Sequence, residues 1–222
     1  KFHNTYGTWL GQQAKQFISE QKLDVDFIAS HGHTTHHQPE NGLTFQIGSG
    51  QHLANESACK VICDFRIQDV ALGGQGAPLV PIGDRLLFGN YDYCLNLGGF
   101  ANISFENNAE RIAYDICPVN IVMNHYVSKI ELDYDDEGKI ASTGNVHIEL
   151  LHKLNTLQFY DQKPPKSLGL EWVETFIFPL IESYNLRIED ILRTFVEHVA
   201  IQISKHINKN ETHVLVTGGG AY

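Results

Sequence analysis

Between Asp64 and Ser104 the chain runs DFRIQDVALGGQGAPLVPIGDRLLFGNYDYCLNLGGFANIS, and its two glycine clusters restrict what can be built from it. Glycine weakens the interior of any regular element. Clusters of it are useful where the backbone must take positive φ, or where N–H groups must come close to an anion. Gly73, Gly74 and Gly76 follow a charged block of Asp64, Arg66 and Asp69, whereas Gly98 and Gly99 interrupt an apparent strand pair, YDYCLNL and ANISFE. A plain turn needs one glycine. The stretch reads as the active-site half of a phosphate-handling protein.

The surrounding pattern predicts an α/β fold. Thr8–Lys22 places Leu10, Ala14, Phe17 and Ile18 on one helical face. VDFIAS (25–30) reads as a short buried strand, HGHTTHHQPENG as a polar loop, and LTFQI (43–47) as a strand. A short helix over 52–59 and a third strand over 60–65 follow. Ligands of such architectures gather beyond the carboxyl ends of strands. Pro78 and Pro81 delay the next helix to about Ile82. Strands are expected at 91–97, 101–106 and 111–116, with NNAE turning the last pair. Helices are expected over 120–129, 146–157, 171–183 and 187–208, with Pro179 kinking the third near its end; DYDDEGK is a solvated acidic linker. HVLVTGGG closes the chain as a buried strand entering a glycine turn. The change to a three-strand meander sets a lobe boundary near Gly89, giving lobes of residues 1–88 and 89–222.

The 222 residues suffice for one large domain or two lobes, and a formal charge of −10 argues against a nucleic-acid or anionic-membrane binder. No apolar run approaches a membrane span and no secretory signal opens the chain. Cys59, Cys63, Cys94 and Cys117 show no zinc or redox spacing, and Cys63 and Cys94 fall in apparent buried strands. The expectation is a cytoplasmic protein with free thiols, without nucleic-acid or membrane partners; a homodimer is allowed.

Asp69 is the candidate general base, since an attacking water or hydroxyl must lose a proton to a positioned carboxylate. A turn-capping aspartate is the plain alternative. Arg66 can neutralise phosphate, orient Asp69 or pair with Asp64. Gln75 and the backbone of 73–77, with Gly74 and Gly76, can bond sugar hydroxyls. Asp115, at a strand end, can hold Mg²⁺ through water. His31, His33, His36 and His37 invite a metal reading, but no carboxylate or cysteine stands at matching spacing, and a polar loop explains them more simply. The metal ligands are therefore left unassigned. No P-loop lysine motif and no GxGxxG fingerprint occur.

The strings SHGHTTHHQP, LTFQIGSGQHLA, DVALGGQGAPLVP, NLGGFANIS and VTGGGAY together resemble the anhydro-N-acetylmuramic acid kinases, members of the acetate kinase, sugar kinase, Hsp70 and actin superfamily. The blocks keep the family's order from Ser30 to Tyr222. The resemblance implies a two-lobed, ribonuclease-H-like (actin-like) architecture, with sugar-side loops in the first lobe and nucleotide-side loops in the second. It implies ATP and Mg²⁺ as cofactors and an amino sugar as substrate, in peptidoglycan recycling. Asp69 would activate the water that opens the 1,6-anhydro bond while O6 takes the phosphoryl group. His31, Gly32, His33, Thr34, Arg66, Gly74, Gln75 and Gly76 would bind the sugar. Gly98, Gly99 and Asn102 would form the second phosphate loop, Asp115 would serve the metal, and Gly218, Gly219 and Gly220 would receive adenosine. The chain departs from the family at His33, where glutamine is usual. It departs again at Ile116, Cys117 and Val119, in place of a Thr-Gly-Pro-Gly-Asn pattern.

The resemblance also sets the expectation that these residues are an incomplete fragment. The family's N-terminal Gly-Thr-Ser-x-Asp-Gly loop has no match, the chain opens inside an apparent helix, and VLV has no helix after it. Three rival readings stand beside a kinase of the anhydro sugar. They are a kinase of another sugar, a catalytically silent nucleotide- or sugar-binding module, and a His-loop metalloenzyme.

Overall fold

The computed structural model describes residues 1–38, 41–74, 76, 78–207 and 211–222. It is a mixed α/β structure that separates into two compact units, Lys1–Leu79 and Val80–Tyr222.

The first unit contains α1 (Phe2–Glu20), β1 (Ile28–Ala29), β2 (His33–Gln38), β3 (Leu43–Ile47), α2 (Gly50–Ser57), β4 (Val61–Ile62) and α3 (Phe65–Ala71). Helix α1 meets α2 through glycines rather than through a broad apolar stripe. Gly7 and Gly11 are buried, and a Cβ on either would fall 2.5 Å from the Ser49 carbonyl oxygen or 2.8 Å from that of Leu53. Phe17, expected to face inward, is 58% exposed. Ser49 caps α2 by accepting the His52 N–H.

The polar loop expected after Ser30 is in fact largely strand. β2 pairs antiparallel with β3, and a bulge at Thr35 separates the pairs Thr34–Gln46 and His36–Phe45. The buried face of this hairpin is polar: Thr44 and Gln46 are inside, and the Gln46 amide donates to Thr44 Oγ1 at 2.8 Å and to Thr34 Oγ1 at 3.4 Å. β1 and β4 form a short parallel pair. The strand expected to run through Phe65 ends at Ile62, so Cys63 lies outside it. Asp64 then takes positive φ (63°) and helix α3 begins at Phe65.

The second unit contains α4 (Val80–Leu87), β5 (Tyr93–Leu97), β6 (Phe100–Asn107), β7 (Glu110–Pro118), α5 (Asn120–Val127), α6 (Ile148–Asn155), α7 (Leu170–Trp172), α8 (Phe178–Glu182), α9 (Ile188–Ser204) and β8 (Val214–Thr217). The sheet order is β7-β6-β5-β8, with β8 parallel to β5 and the other pairs antiparallel. Asn108 and Ala109 both have positive φ, as a tight turn between twisted strands requires. Helix α4 starts two residues before Ile82, because Pro81 falls in its first turn, where a missing N–H costs no helical bond. The turn Val173–Ile177 is a π-turn just before Pro179; the ring and the absent N–H at 179 disfavour the regular bond to residue 175. The acidic linker is ordered by Asp135, whose carboxylate accepts the N–H groups of Ile140 and Ala141. β8, expected to be buried, is a sheet edge with Val216 43% exposed.

One sheet face, with Leu95, Ile103 and Ile116, buries against Val122 and Tyr126 of α5 and Leu192, Phe195 and Val199 of α9. Phe195 lies in that core at 1% exposure, so Phe195→Ala is expected to lower unfolding free energy by about 3–5 kcal/mol. Urea denaturation measures it.

His198, fully buried on α9, has Tyr160 OH 2.9 Å from Nε2 and Asn155 Oδ1 2.9 Å from Nδ1. An amide oxygen only accepts, so Nδ1 carries the proton and Nε2 accepts from the tyrosine. Burial drives this imidazole down to about 3, with the Lys205 charge adding to the effect. Below about pH 6.5 the unfolded chain protonates the ring and the folded chain does not. The contribution of this group is therefore complete above that pH. It is lost at up to about 1.4 kcal/mol per pH unit as pH falls towards 3. Urea midpoints between about pH 4 and about pH 7 should fall more steeply for the parent than for His198→Gln.

Candidate active site

In the first unit Asp69 sits on the last turn of α3, with the glycine run folded back over it. Gly76 N–H donates to Asp69 Oδ2 at 2.7 Å, and Gly74 N–H donates to the Asp69 carbonyl oxygen at 2.8 Å. Gly73 and Gly76 take positive φ (89° and 69°), which brings the chain back within one short loop. A Cβ on Gly74 would fall 2.2 Å from Asp69 Oδ2 and 2.7 Å from Oδ1. The carboxylate is thus pressed against a glycine that cannot be enlarged, with one oxygen held by a backbone N–H. Gln75 lies outside the described residues.

Arg66 precedes Asp69 by one helical turn and, among the described residues, forms no ion pair with Asp64 or Asp69. Its Nε–H donates instead to His31 Nε2 at 2.9 Å, joining α3 to the segment just after β1. Asp64 takes the Cys63 thiol at 3.2 Å. His31 Nδ1 lies 3.1 Å from the Gly32 carbonyl oxygen. Gly32 has φ 68°, and a Cβ there would meet the Ile47 carbonyl oxygen at 2.5 Å. His33 pairs with Ile47 in the hairpin and is exposed, while Thr34 Oγ1 is tied to Gln46. Among the described residues no three His, Cys, Asp or Glu side chains gather to hold a metal ion.

In the second unit the sheet brings two glycine turns together, because β5 and β8 are parallel neighbours ending at the same level. Gly98 and Gly99 follow β5. Their carbonyl oxygens accept the N–H groups that begin α5: Asn120 N–H reaches Gly98 O at 3.2 Å, and Val119 and Ile121 N–H reach Gly99 O at 2.8 and 3.2 Å. Gly218, at φ 86°, lies against Leu97; a Cβ there would be 2.6 Å from the Leu97 carbonyl. The Asn120 side chain donates to the Leu97 carbonyl oxygen at 3.2 Å and borders Gly219 and Gly220. Gly218 must be glycine for backbone reasons. Gly99 has no such reason: its φ is ordinary, and among the described residues a Cβ would meet only the Ile121 Cβ at 3.8 Å.

Across the strand ends runs a row of polar residues, Asp115, Asn102, Asn96 and Thr217, paired in register on β7, β6, β5 and β8. Asp115 Oδ2 accepts the Leu168 N–H at 2.8 Å; burial pushes its carboxyl above the usual range, and that hydrogen bond pulls partly back. Sequence reasoning picked Asn102 and Asp115 but missed Asn96 and Thr217. The polar alternation of NLGGFANIS pointed to Asn96, whereas nothing local marked Thr217.

The family model for anhydro-N-acetylmuramic acid kinase matches residues 1–222. Curated proteins of that name are similar: one from Zymomonas mobilis is 36% identical over 95% of this chain and 60% of its own length. One from Pseudomonas syringae pv. syringae is 38% identical over 96% and 62%. One from Aliivibrio fischeri is 34% identical over 90% and 58%. The chain thus spans about 60% of the length of these relatives. With a match along the whole of its length, the chain belongs to the anhydro-N-acetylmuramic acid kinase family.

Proposed function

We propose that this chain carries sugar-side and nucleotide-side loops of an ATP-dependent kinase that opens 1,6-anhydro-N-acetylmuramic acid and yields the 6-phosphate, in cytoplasmic cell-wall recycling. Asp69 is the base for the attacking water, and O6, freed from C1, accepts the γ-phosphoryl group. The sugar-side loops belong to residues 1–88 and the nucleotide-side loops to residues 89–222, in a two-lobed actin-like architecture. An antiparallel meander continued by a parallel strand in the second unit supports that plan.

The observation that carries the reading is Gly99. A glycine needed neither for φ nor for room inside the chain fits a turn kept bare for a phosphate. Gly98 and Gly99 cradle phosphate, and Gly218–Gly220 present bare backbone to the adenosine. A half-buried carboxylate in register with an amide suits Mg²⁺, which keeps several waters, so Asp115 is its holder, beside Asn102. Bound there, the ion would offset phosphate charge.

The test uses the full-length protein with ATP and Mg²⁺, following ADP release and the phosphorus NMR signal of the product. Turnover with the anhydro sugar well above that with ordinary hexoses is expected. ATP binding without turnover of any sugar would leave a silent binding module, and turnover only of another hexose would reassign the substrate.

A further inference from the structure

Arg66 is the one arginine among residues 1–79, and the way it is held leaves one end of it available. Its Nε–H donates to His31 Nε2. A ring nitrogen that accepts must carry its lone pair, so the His31 proton is on Nδ1, where it donates to the Gly32 carbonyl oxygen. Both ring nitrogens of His31 are therefore used within the protein. The direct sugar contact expected of His31 has no nitrogen left to make it.

The guanidinium keeps four N–H donors on Nη1 and Nη2. Two carboxylates are its neighbours in sequence, Asp64 and Asp69, and among the described residues it pairs with neither. Asp64 takes the Cys63 thiol and Asp69 takes the Gly76 N–H. Gly76 also joins Arg66 to the candidate base: a Cβ there would lie 3.2 Å from the Arg66 carbonyl oxygen and 3.5 Å from the Arg66 Cβ. Arg66 and Asp69 are thus packed by one loop, a helical turn apart. A planar fork whose Nη groups have no partner among the described residues matches a carboxylate, which it grips through two parallel hydrogen bonds.

We propose that Arg66, aimed by the imidazole of His31, is the specificity-determining residue that pairs with the carboxylate of the sugar acid. This rests on the kinase reading and deepens it. Muramic acid differs from glucosamine by a lactyl ether that ends in a carboxylate, so an arginine beside the base separates the acid from the neutral anhydro-hexosamine. His31 is a positioning residue. It acts through Arg66 and touches no substrate atom.

The experiment compares kcat/KM for 1,6-anhydro-N-acetylmuramic acid and for 1,6-anhydro-N-acetylglucosamine, using full-length protein. Arg66→Ala should lower the ratio of the two values by about ten- to a hundredfold, mainly through KM for the acid, the worth of a charged hydrogen-bonded pair. Arg66→Lys, which keeps the charge without the fork, should lower it less, and it serves if the alanine variant fails to fold. His31→Ala should shift the ratio the same way. His31→Gln should restore it, because the glutamine oxygen accepts where Nε2 does. The double variant should match Arg66→Ala alone, since one residue works through the other. An unchanged ratio in Arg66→Ala overturns the proposal, as do effects that multiply in the double variant. A parent enzyme that phosphorylates both sugars equally overturns the specificity but leaves the kinase reading. A parent that phosphorylates neither overturns both.

Discussion

Replacing Asp69 with asparagine should lower turnover of the full-length protein by about two to four orders of magnitude while leaving its folding unchanged. The geometry explains why the two effects separate. Asp69 Oδ2 accepts the Gly76 N–H, and the carboxylate lies against Gly74, so the side chain is fixed by contacts that an isosteric amide can keep. In the variant the amide oxygen faces Gly76 N–H, because the amino group would set donor against donor. The amino group then occupies the place of Oδ1, where a proton would have to be received. Shape and hydrogen bond survive; basicity does not. Steady-state ADP release measures the loss, and thermal unfolding checks the fold. Near-normal turnover in a well-folded variant would remove Asp69 as the base.

The fold was legible where side chains alternate by polarity and illegible where they do not. LTFQI gave its strand limits correctly, and the β5–β7 meander was visible from its alternation and its NNAE turn. β2 was not, because its inward partners are Thr44 and Gln46, satisfied by hydrogen bonds rather than by apolar contact. Helix α3 was hidden for another reason. It is only seven residues long and is entered through Asp64 at positive φ, which no local pattern announces. The site divides along the same line. Glycine strings could be seen at once, since glycine is informative wherever it clusters. Their meeting beside Asn120 depends on β8 lying parallel to β5, a pairing between segments more than a hundred residues apart. The hydrogen bond from Arg66 to His31 spans 35 residues and displaces the nearer carboxylates that sequence proximity favoured.

Gly99→Val should raise the KM for ATP by about a hundredfold and change the KM for the sugar far less, the scale of loss when reacting groups are displaced by about an ångström. Among the described residues, the one atom within 4 Å of a Cβ on Gly99 is Ile121 Cβ, at ordinary contact distance. Valine is tolerable to the fold for that reason: the backbone is not in the left-handed region, and a β-branched residue suits a strand end. What valine removes is the bare surface of the turn on its Ile121 side, which a phosphate packed on this turn would have to occupy. Gly218 provides the contrast. At φ 86° and pressed on Leu97, it should lose stability on any substitution, so Gly218→Val is expected to lower the unfolding midpoint as well as ATP affinity. Measuring ATP and sugar affinities beside melting temperatures for the two variants separates a lost ligand space from a damaged fold. Equal weakening of both ligands by Gly99→Val, with a lowered melting temperature, would show that this turn serves the fold and would remove it from the phosphate site.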